Sequence, residues 1–345
     1  MRPLIPTFAA IAKIGEPIDS AIDARPRTVH RQRMKQLTSA DITAAADRIA
    51  GHIRLTPVLQ LEPGALGLHY PVTLKLEHTQ VTGSFKVRGA FNNLLSRDVP
   101  DAGIVAASGG NHGAAVAYAA TKLGHKSVVF VPRAIAKEEK LRRMRDFGAE
   151  VILTEGSVAD CMAEYAAHAE TTGALSVHPY DTAPTLAGQG TVALEMEKQT
   201  DGFDTIMVAT GGGGLIGGIA AWIGDRVRVV SVETEGTNTL ARSLKEGSDI
   251  DVAASGISAG SLGGPRLGEL SYTIIKERVT DAIVLPDVAV FDAAKKLWEG
   301  TRLVGEPGAA TALAALTSGA YKPGKDERIA VLVCGGNAEP HWFMD

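Results

Sequence analysis

The chain has 345 residues, 45% of them hydrophobic and 21% charged, with a formal net charge of -4. This composition belongs to a globular protein with a substantial core, in one large domain or two, and its interspersed acids and bases exclude a nucleic-acid footprint. Two cysteines cannot build a disulfide framework, and no apolar run approaches the roughly 20 residues that span a bilayer, so a cytoplasmic protein with no membrane or nucleic-acid partner is expected.

Residues 1–33 carry four prolines, Pro3, Pro6, Pro17 and Pro26, and no sustained period, which reads as a poorly structured N-terminal extension. Regular structure is expected from "TSADITAAADRIAGHI", where Thr38 or Ser39 can cap a helix with Ile42, Ala46, Ile49 and Ile53 on one face. Thr56-Pro57 closes that helix. "GSFKVRGAFNN" then sets Lys86 at the start of a run of small and apolar residues. Taken alone, Lys86 is either a solvated charge at a helix start or a residue that carries chemistry.

From Ala102 onward, strand-like and helix-like segments alternate: "GIVAAS", "GAAVAYAATKLG", "SVVFVP", "AKEEKLRRMRDFG", "EVILTE", "VADCMAEYAAHAETTG". Gly124, Gly148 and Gly173 fall where helix C-caps would. The alternation predicts a parallel sheet wrapped by helices. It resumes after "HPYDTAPTLAGQGT" with "DTIMVAT", "LIGGIAAWIG", "VRVVSVE" and "NTLARSLKEG", and closes with the strand "RIAVLVC". Asp249 to Gly268, rich in Gly, Ser and Ala, is expected to form loops near a site.

In such a sheet ligands bind at the carboxyl ends of strands, and three polar loops fall there. "ASGGNHG", Ala107 to Gly113, places free backbone N–H groups and the positive end of a helix dipole where a carboxylate or phosphate binds; the alternative is a simple turn with Ser108 as N-cap. "TGGGGLIGG", Thr210 to Gly218, lets the backbone wrap a phosphate with N–H groups alone, yet is neither a GxGxxG nor a Walker loop. Its alternative is a glycine turn with no ligand. "VLVCGGNAEP" ends a buried strand at Cys334, which is either a small core residue or a neutral thiol facing a heteroaromatic ring nitrogen.

These motifs, in this order and together with "EHTQVTGSFKVRGAFNNL", "PYDTAPTLAGQGT" and Glu306-Pro307, resemble the fold-type II pyridoxal-phosphate enzymes, within them the serine/threonine dehydratase and serine racemase family. The resemblance covers about Thr38 to Asn337. It implies an α/β fold of the tryptophan synthase β type: a large cofactor-binding domain from 34–97 and 180–345, a small α/β domain from 98–179, mostly parallel sheets, and pyridoxal 5'-phosphate in the cleft between them. It makes Lys86 the lysine that carries the cofactor, with Phe85, Asn111, Glu306 and Cys334 around the ring and Gly211, Gly212, Gly213, Gly214 and Leu215 as the phosphate cup. Ser84, Ser108, Gly110, Asn111 and His112 match the residues that take the substrate carboxylate.

The implied activity is elimination of water and then ammonia from a 3-hydroxy amino acid such as L-threonine or L-serine, by a homodimer. Serine racemase and dehydratases of 3-hydroxyaspartate or other 3-hydroxy amino acids are the alternatives, and a non-catalytic nucleotide- or anion-binding α/β protein is the reading from another class. Two departures from the family pattern stand out. Gly109 replaces the hydroxyl residue that works on the second face of the cofactor in serine racemase, which disfavours racemisation. Glu233 matches a ligand of the family's divalent-cation site, but Asn238 or Thr239 replaces the later acid, so a divalent or monovalent cation lacks part of its ligand set; Glu233 reads equally as an acid at a helix N-terminus.

Overall fold

The computed structural model describes residues 37–344; the N-terminal extension read over residues 1–33 lies outside them. Two sheets organise the described chain. The six-stranded sheet runs, edge to edge, β1 (Val58–Leu61), β2 (Val72–Lys75), β10 (Ile329–Leu332), β7 (Thr205–Ala209), β8 (Arg228–Thr234) and β9 (Val279–Leu285). Only the β1–β2 pair is antiparallel. The four-stranded sheet runs β5 (Glu150–Thr154), β4 (Ser127–Pro132), β3 (Ile104–Ala107) and β6 (Leu175–Ser176), all parallel. The alternation after Ala102 thus folds into the expected parallel sheets.

The helices are α1 (Ser39–Ile49), α2 (Lys86–Leu95), α3 (Asn111–Lys122), α4 (Glu138–Asp146), α5 (Val158–Thr172), α6 (Ala183–Gln199), α7 (Gly214–Ile223), α8 (Thr239–Glu246), α9 (Ala259–Leu262), α10 (Glu269–Arg278), α11 (Asp287–Thr301) and α12 (Pro307–Thr317). Helix α1 begins as expected, Thr38 and Asp41 forming a reciprocal capping box, but stops at Ile49 rather than near Ile53. The reason is local: Gly51 takes φ +82°, which a continuing helix does not allow. The stretch "PYDTAPTLAGQGT", which reads from sequence as part of the joint between two α/β units, lies between β6 of the four-stranded sheet and β7 of the six-stranded sheet and enters α6, a helix buried over most of its length from Thr185 to Met196. Asp249 to Gly268 is mostly loop, as expected, interrupted by the single turn of α9.

The main apolar core lies on the six-stranded sheet, where strand residues such as Ile206, Val208, Val230 and Val331 are fully buried against α6, α7 and α12. Inside it sits a group of charges. Arg88 on α2 donates to both oxygens of Glu77 at 2.7 and 2.8 Å and reaches Glu195 on α6 at 3.0 Å, and Lys75 on β2 pairs with the other oxygen of Glu195 at 2.5 Å. Two cations and two carboxylates balance, which is the condition under which such groups survive burial. This group ties α2, and with it Lys86 two residues before Arg88, to β2 and α6.

Candidate active site

Lys86 is placed by backbone pairing. The Phe85 amide donates to the Cys334 carbonyl at 3.1 Å, the Gly336 amide donates to the Gly83 carbonyl at 2.9 Å, and Ser84 pairs with Gly335. The segment after β10 therefore forms an isolated bridge that holds Gly83–Phe85 in place, Gly83 at φ +71° and Phe85 already in the helical region, until α2 begins at Lys86. One loop read from sequence, "VCGGN", fixes the position of another residue read from sequence, Lys86.

The Lys86 ammonium donates to the Pro179 carbonyl at 2.9 Å and lies 5.3 Å from the centre of the Phe85 ring. Burial pushes its pKa down to about 8, against the opposing pull of Cys334 and Glu306. Cys334 is 3% exposed, and burial, reinforced by the Glu306 carboxylate, holds its thiol far above the usual range, so it is a neutral group. Burial likewise raises the Glu306 carboxyl. Ser84 is buried, and its hydroxyl has no hydrogen-bond partner among the described residues.

Glu306 stands at the N-cap position of α12, and its carboxylate, rather than capping the helix, accepts a hydrogen bond from the Asn111 side-chain amide at 2.7 Å. Asn111 in turn accepts from Asn337 Nδ2 at 2.7 Å. The end of the six-stranded sheet and the first residue of α3 thereby meet beside Lys86. In the same loop Ser108 Oγ accepts from the Gly110 amide at 3.2 Å, and no side chain caps the first turn of α3. Its free N–H groups, with the helix dipole, are suited to an anion. His112 is 5% exposed and spends Nε2 on the Val177 carbonyl at 2.9 Å; burial and the nearby Lys86 push its pKa down to about 3, so it braces the loop as a neutral ring.

The tetraglycine loop joins β7 to α7. Gly213 takes φ +88°, and no side chain caps α7. A Cβ on Gly212 would lie 2.4 Å from Cδ1 of Tyr180, so only a glycine lets that ring close over the loop. Leu215 is buried in the first turn of α7. The uncapped helix start gives a phosphate the backbone donors it needs.

Glu233 does not join this group. Its carboxylate accepts the amides of Leu240 at 2.7 Å and Ala241 at 2.8 Å, so the geometry is that of an acid at the N-terminus of α8, and burial raises its pKa to about 8. Among the described residues, no group of three or more His, Cys, Asp or Glu side chains could hold a metal ion.

Sequence reasoning passed over Pro179, Tyr180, Asn337 and Arg143. Arg143 donates to Asn337 Oδ1 and, at 3.0 Å, to the Thr82 carbonyl. It lines a cavity of about 310 Å³ beside Gly110, Asn111, Lys140 and Asn337. His178, grouped by sequence with the ordinary structural histidines, also lies close to Lys86. Its signal was the dipeptide His-Pro at the end of a strand, which acquires meaning only once β6 is placed.

Comparison with known proteins agrees with this geometry. The chain is 34% identical over 307 residues to a serine racemase of Oryza sativa, covering 86% of this chain and 90% of that protein. It is 34% identical over 303 residues to an L-threonine ammonia-lyase of Geobacter sulfurreducens, covering 86% and 75%. The solved structure of maize serine racemase superposes with a TM-score of 0.82 at 32% identity, covering 88% of this chain and 94% of that one. Residues 49–335 match the family described as pyridoxal-phosphate dependent enzyme, and with that span and those relatives the chain belongs to it.

Proposed function

We propose that the protein is a pyridoxal 5'-phosphate-dependent ammonia-lyase that converts a 3-hydroxy amino acid, such as L-threonine or L-serine, to a 2-oxo acid and ammonia. The observation that carries this reading is a buried lysine amine held by the Pro179 carbonyl, with its pKa lowered to about 8 and a neutral Cys334 thiol near it, while the residue after Pro179, Tyr180, packs on the tetraglycine loop at the uncapped start of α7. The residues present fit the cofactor. The unpartnered Ser84 hydroxyl and the bare amides of the tetraglycine loop supply donors that nothing else in the described chain uses. When bound, the cofactor supplies an electron sink for bond breaking at the substrate α-carbon.

The chain's own residues supply the rest. Lys86 holds the cofactor, and its released amine takes the α-proton at Nζ. Gly211 to Gly214 and the first turn of α7 bind the phosphate. The amides of the loop before α3 that have no partner among the described residues, with the Ser84 hydroxyl, orient the substrate carboxylate, while Glu306 and Asn337 hold the Asn111 side chain, which would face the cofactor. A neutral Cys334 does not protonate the ring nitrogen, which favours elimination over transamination. Water lost from the substrate is regained on hydrolysis, so threonine yields one 2-oxo acid and one ammonia. Gly109 has no hydroxyl to deliver a proton to the second face, so elimination outpaces racemisation.

In the same reading residues 98–179 form the small domain, 34–97 with 180–345 the large one, and two copies assemble as a cytoplasmic homodimer. The four-stranded sheet, whose strands all fall within 98–179, supports that division.

The test is a panel of L-serine, L-threonine, D-serine and threo-3-hydroxyaspartate with 2-oxo acid and ammonia measured. Equimolar products from at least one substrate, and their loss with the yellow colour in Lys86→Ala, are expected. Interconversion of L- and D-serine faster than pyruvate formation overturns the elimination reading.

A further inference from the structure

The turn after β6 brings three working groups to one place, and a single imidazole shapes it. Nδ1 of His178 accepts the backbone N–H of Asp181 at 2.9 Å and, more weakly, that of Tyr180 at 3.4 Å, while the His178 carbonyl accepts Thr185 Oγ1 at 3.0 Å. The ring is met edge-on by Tyr180 at 4.8 Å. The chain is thereby bent back on itself over His178 to Asp181.

What the bend presents is specific. Pro179 turns its carbonyl to the Lys86 amine at 2.9 Å. Tyr180 lays its ring on Gly212 of the tetraglycine loop. The Asp181 carboxylate accepts the amides of Glu269 and Leu270, each at 3.0 Å, and so caps α10. The titratable groups facing His178 are Lys86, His112, Tyr180 and Asp181. Asp181 is committed to α10 and His112 to Val177, leaving Lys86 and Tyr180 as the groups whose placement depends on the turn.

We propose that His178 is a positioning residue: its Nδ1 holds the turn that keeps the Pro179 carbonyl under the free Lys86 amine and the Tyr180 ring against the phosphate loop. The proposal rests on the reading of Lys86 as the cofactor lysine. A neutral primary amine has two N–H donors and one lone pair. Spending one donor on Pro179 confines the lone pair to the two remaining staggered directions, so the amine freed by substrate is aimed rather than loose. Misplacement by about 1 Å in such an arrangement costs on the order of a hundredfold in rate.

Two variants of equal polarity separate this from a general structural role. In His178→Asn the side-chain oxygen stands where Nδ1 stands; in His178→Gln it stands one carbon further out. Lys86 is labelled by reductive methylation in the cofactor-free protein across pH, and the labelled peptide is quantified by mass spectrometry. A carbonyl acceptor favours the ammonium form, so its displacement moves the labelling midpoint to lower pH. The expected result is a midpoint equal to the parent's in His178→Asn and a lower one in His178→Gln. In the loaded enzyme His178→Gln is expected to lose about tenfold to a hundredfold in kcat with KM changed far less, and His178→Asn to keep most of the parent rate. The two variants behaving alike in the labelling experiment, both parent-like or both shifted, overturns the proposal. Because labelling needs neither cofactor nor substrate, failure of the ammonia-lyase reading registers separately, as a substrate panel without product.

Discussion

At Lys86 burial and electrostatics compete, and burial wins. The amine faces the neutral thiol of Cys334 and a carboxyl, Glu306, that burial itself drives toward its neutral form. Their pull on the ammonium is weaker than the cost of burying it, and its pKa falls to about 8. Only the neutral amine attacks a carbonyl. The rate at which cofactor-free protein takes up pyridoxal 5'-phosphate is therefore expected to rise about tenfold per pH unit at low pH and to level off above about 8, followed by absorbance of the bound cofactor. A rate still climbing at pH 10 contradicts the lowered pKa. Cys334 behaves oppositely: buried and neutral, it should resist alkylating reagents in the folded protein and react only on unfolding, as mass spectrometry of the alkylated chain would register.

At the scale of elements, the start of α2 depends on the charges behind it. Arg88 is fully buried, and its removal leaves Glu77, also fully buried, with an uncompensated carboxylate. Arg88→Met is expected to cost about 3 to 5 kcal/mol in urea unfolding, and Glu77→Gln in the same chain to recover part of it. Elements with a one-sided apolar face or clear caps were legible in the sequence: the capping box of α1, the βα alternation, the glycine turns after α3 and α5. Two helices buried on most sides, α12 and α6, were not. Helix α12, "PGAATALAALT", is buried from Gly308 to Leu316 and has no polar face from which a period could be read. The same holds for α6. The loops at strand ends could be read because their chemistry is in the backbone, which glycine announces. His178 and Arg143 could not, because each works through a partner more than 60 residues away or through a carbonyl, and carbonyls carry no sequence signal.

At the scale of the molecule, the two sheets are joined at the site by amide side chains. Asn337, just past the end of β10, donates to the Thr82 carbonyl at 2.9 Å and to Asn111 at 2.7 Å, and accepts from Arg143 of α4. Asn111 carries the link to Glu306, so four segments that meet around Lys86 share one chain of hydrogen bonds. Such a network is costly to leave partly satisfied. Asn337→Ala strands the Asn111 oxygen and an Arg143 donor and leaves the Thr82 carbonyl to Arg143 alone, and each abandoned polar group costs about 1 to 3 kcal/mol when water cannot replace the partner. The cavity beside these residues admits water, which places the expected loss of stability at the lower end of that range for the whole substitution. The larger effect should fall on binding. Asn111 belongs to the loop proposed to orient the substrate carboxylate, and it loses one of its two braces, keeping only Glu306. Asn337→Ala is expected to raise KM for the amino acid several-fold more than it lowers kcat, measured with cofactor at saturation. An unchanged KM beside a lowered unfolding midpoint would make Asn337 a strut between the sheets and remove it from the account of the site.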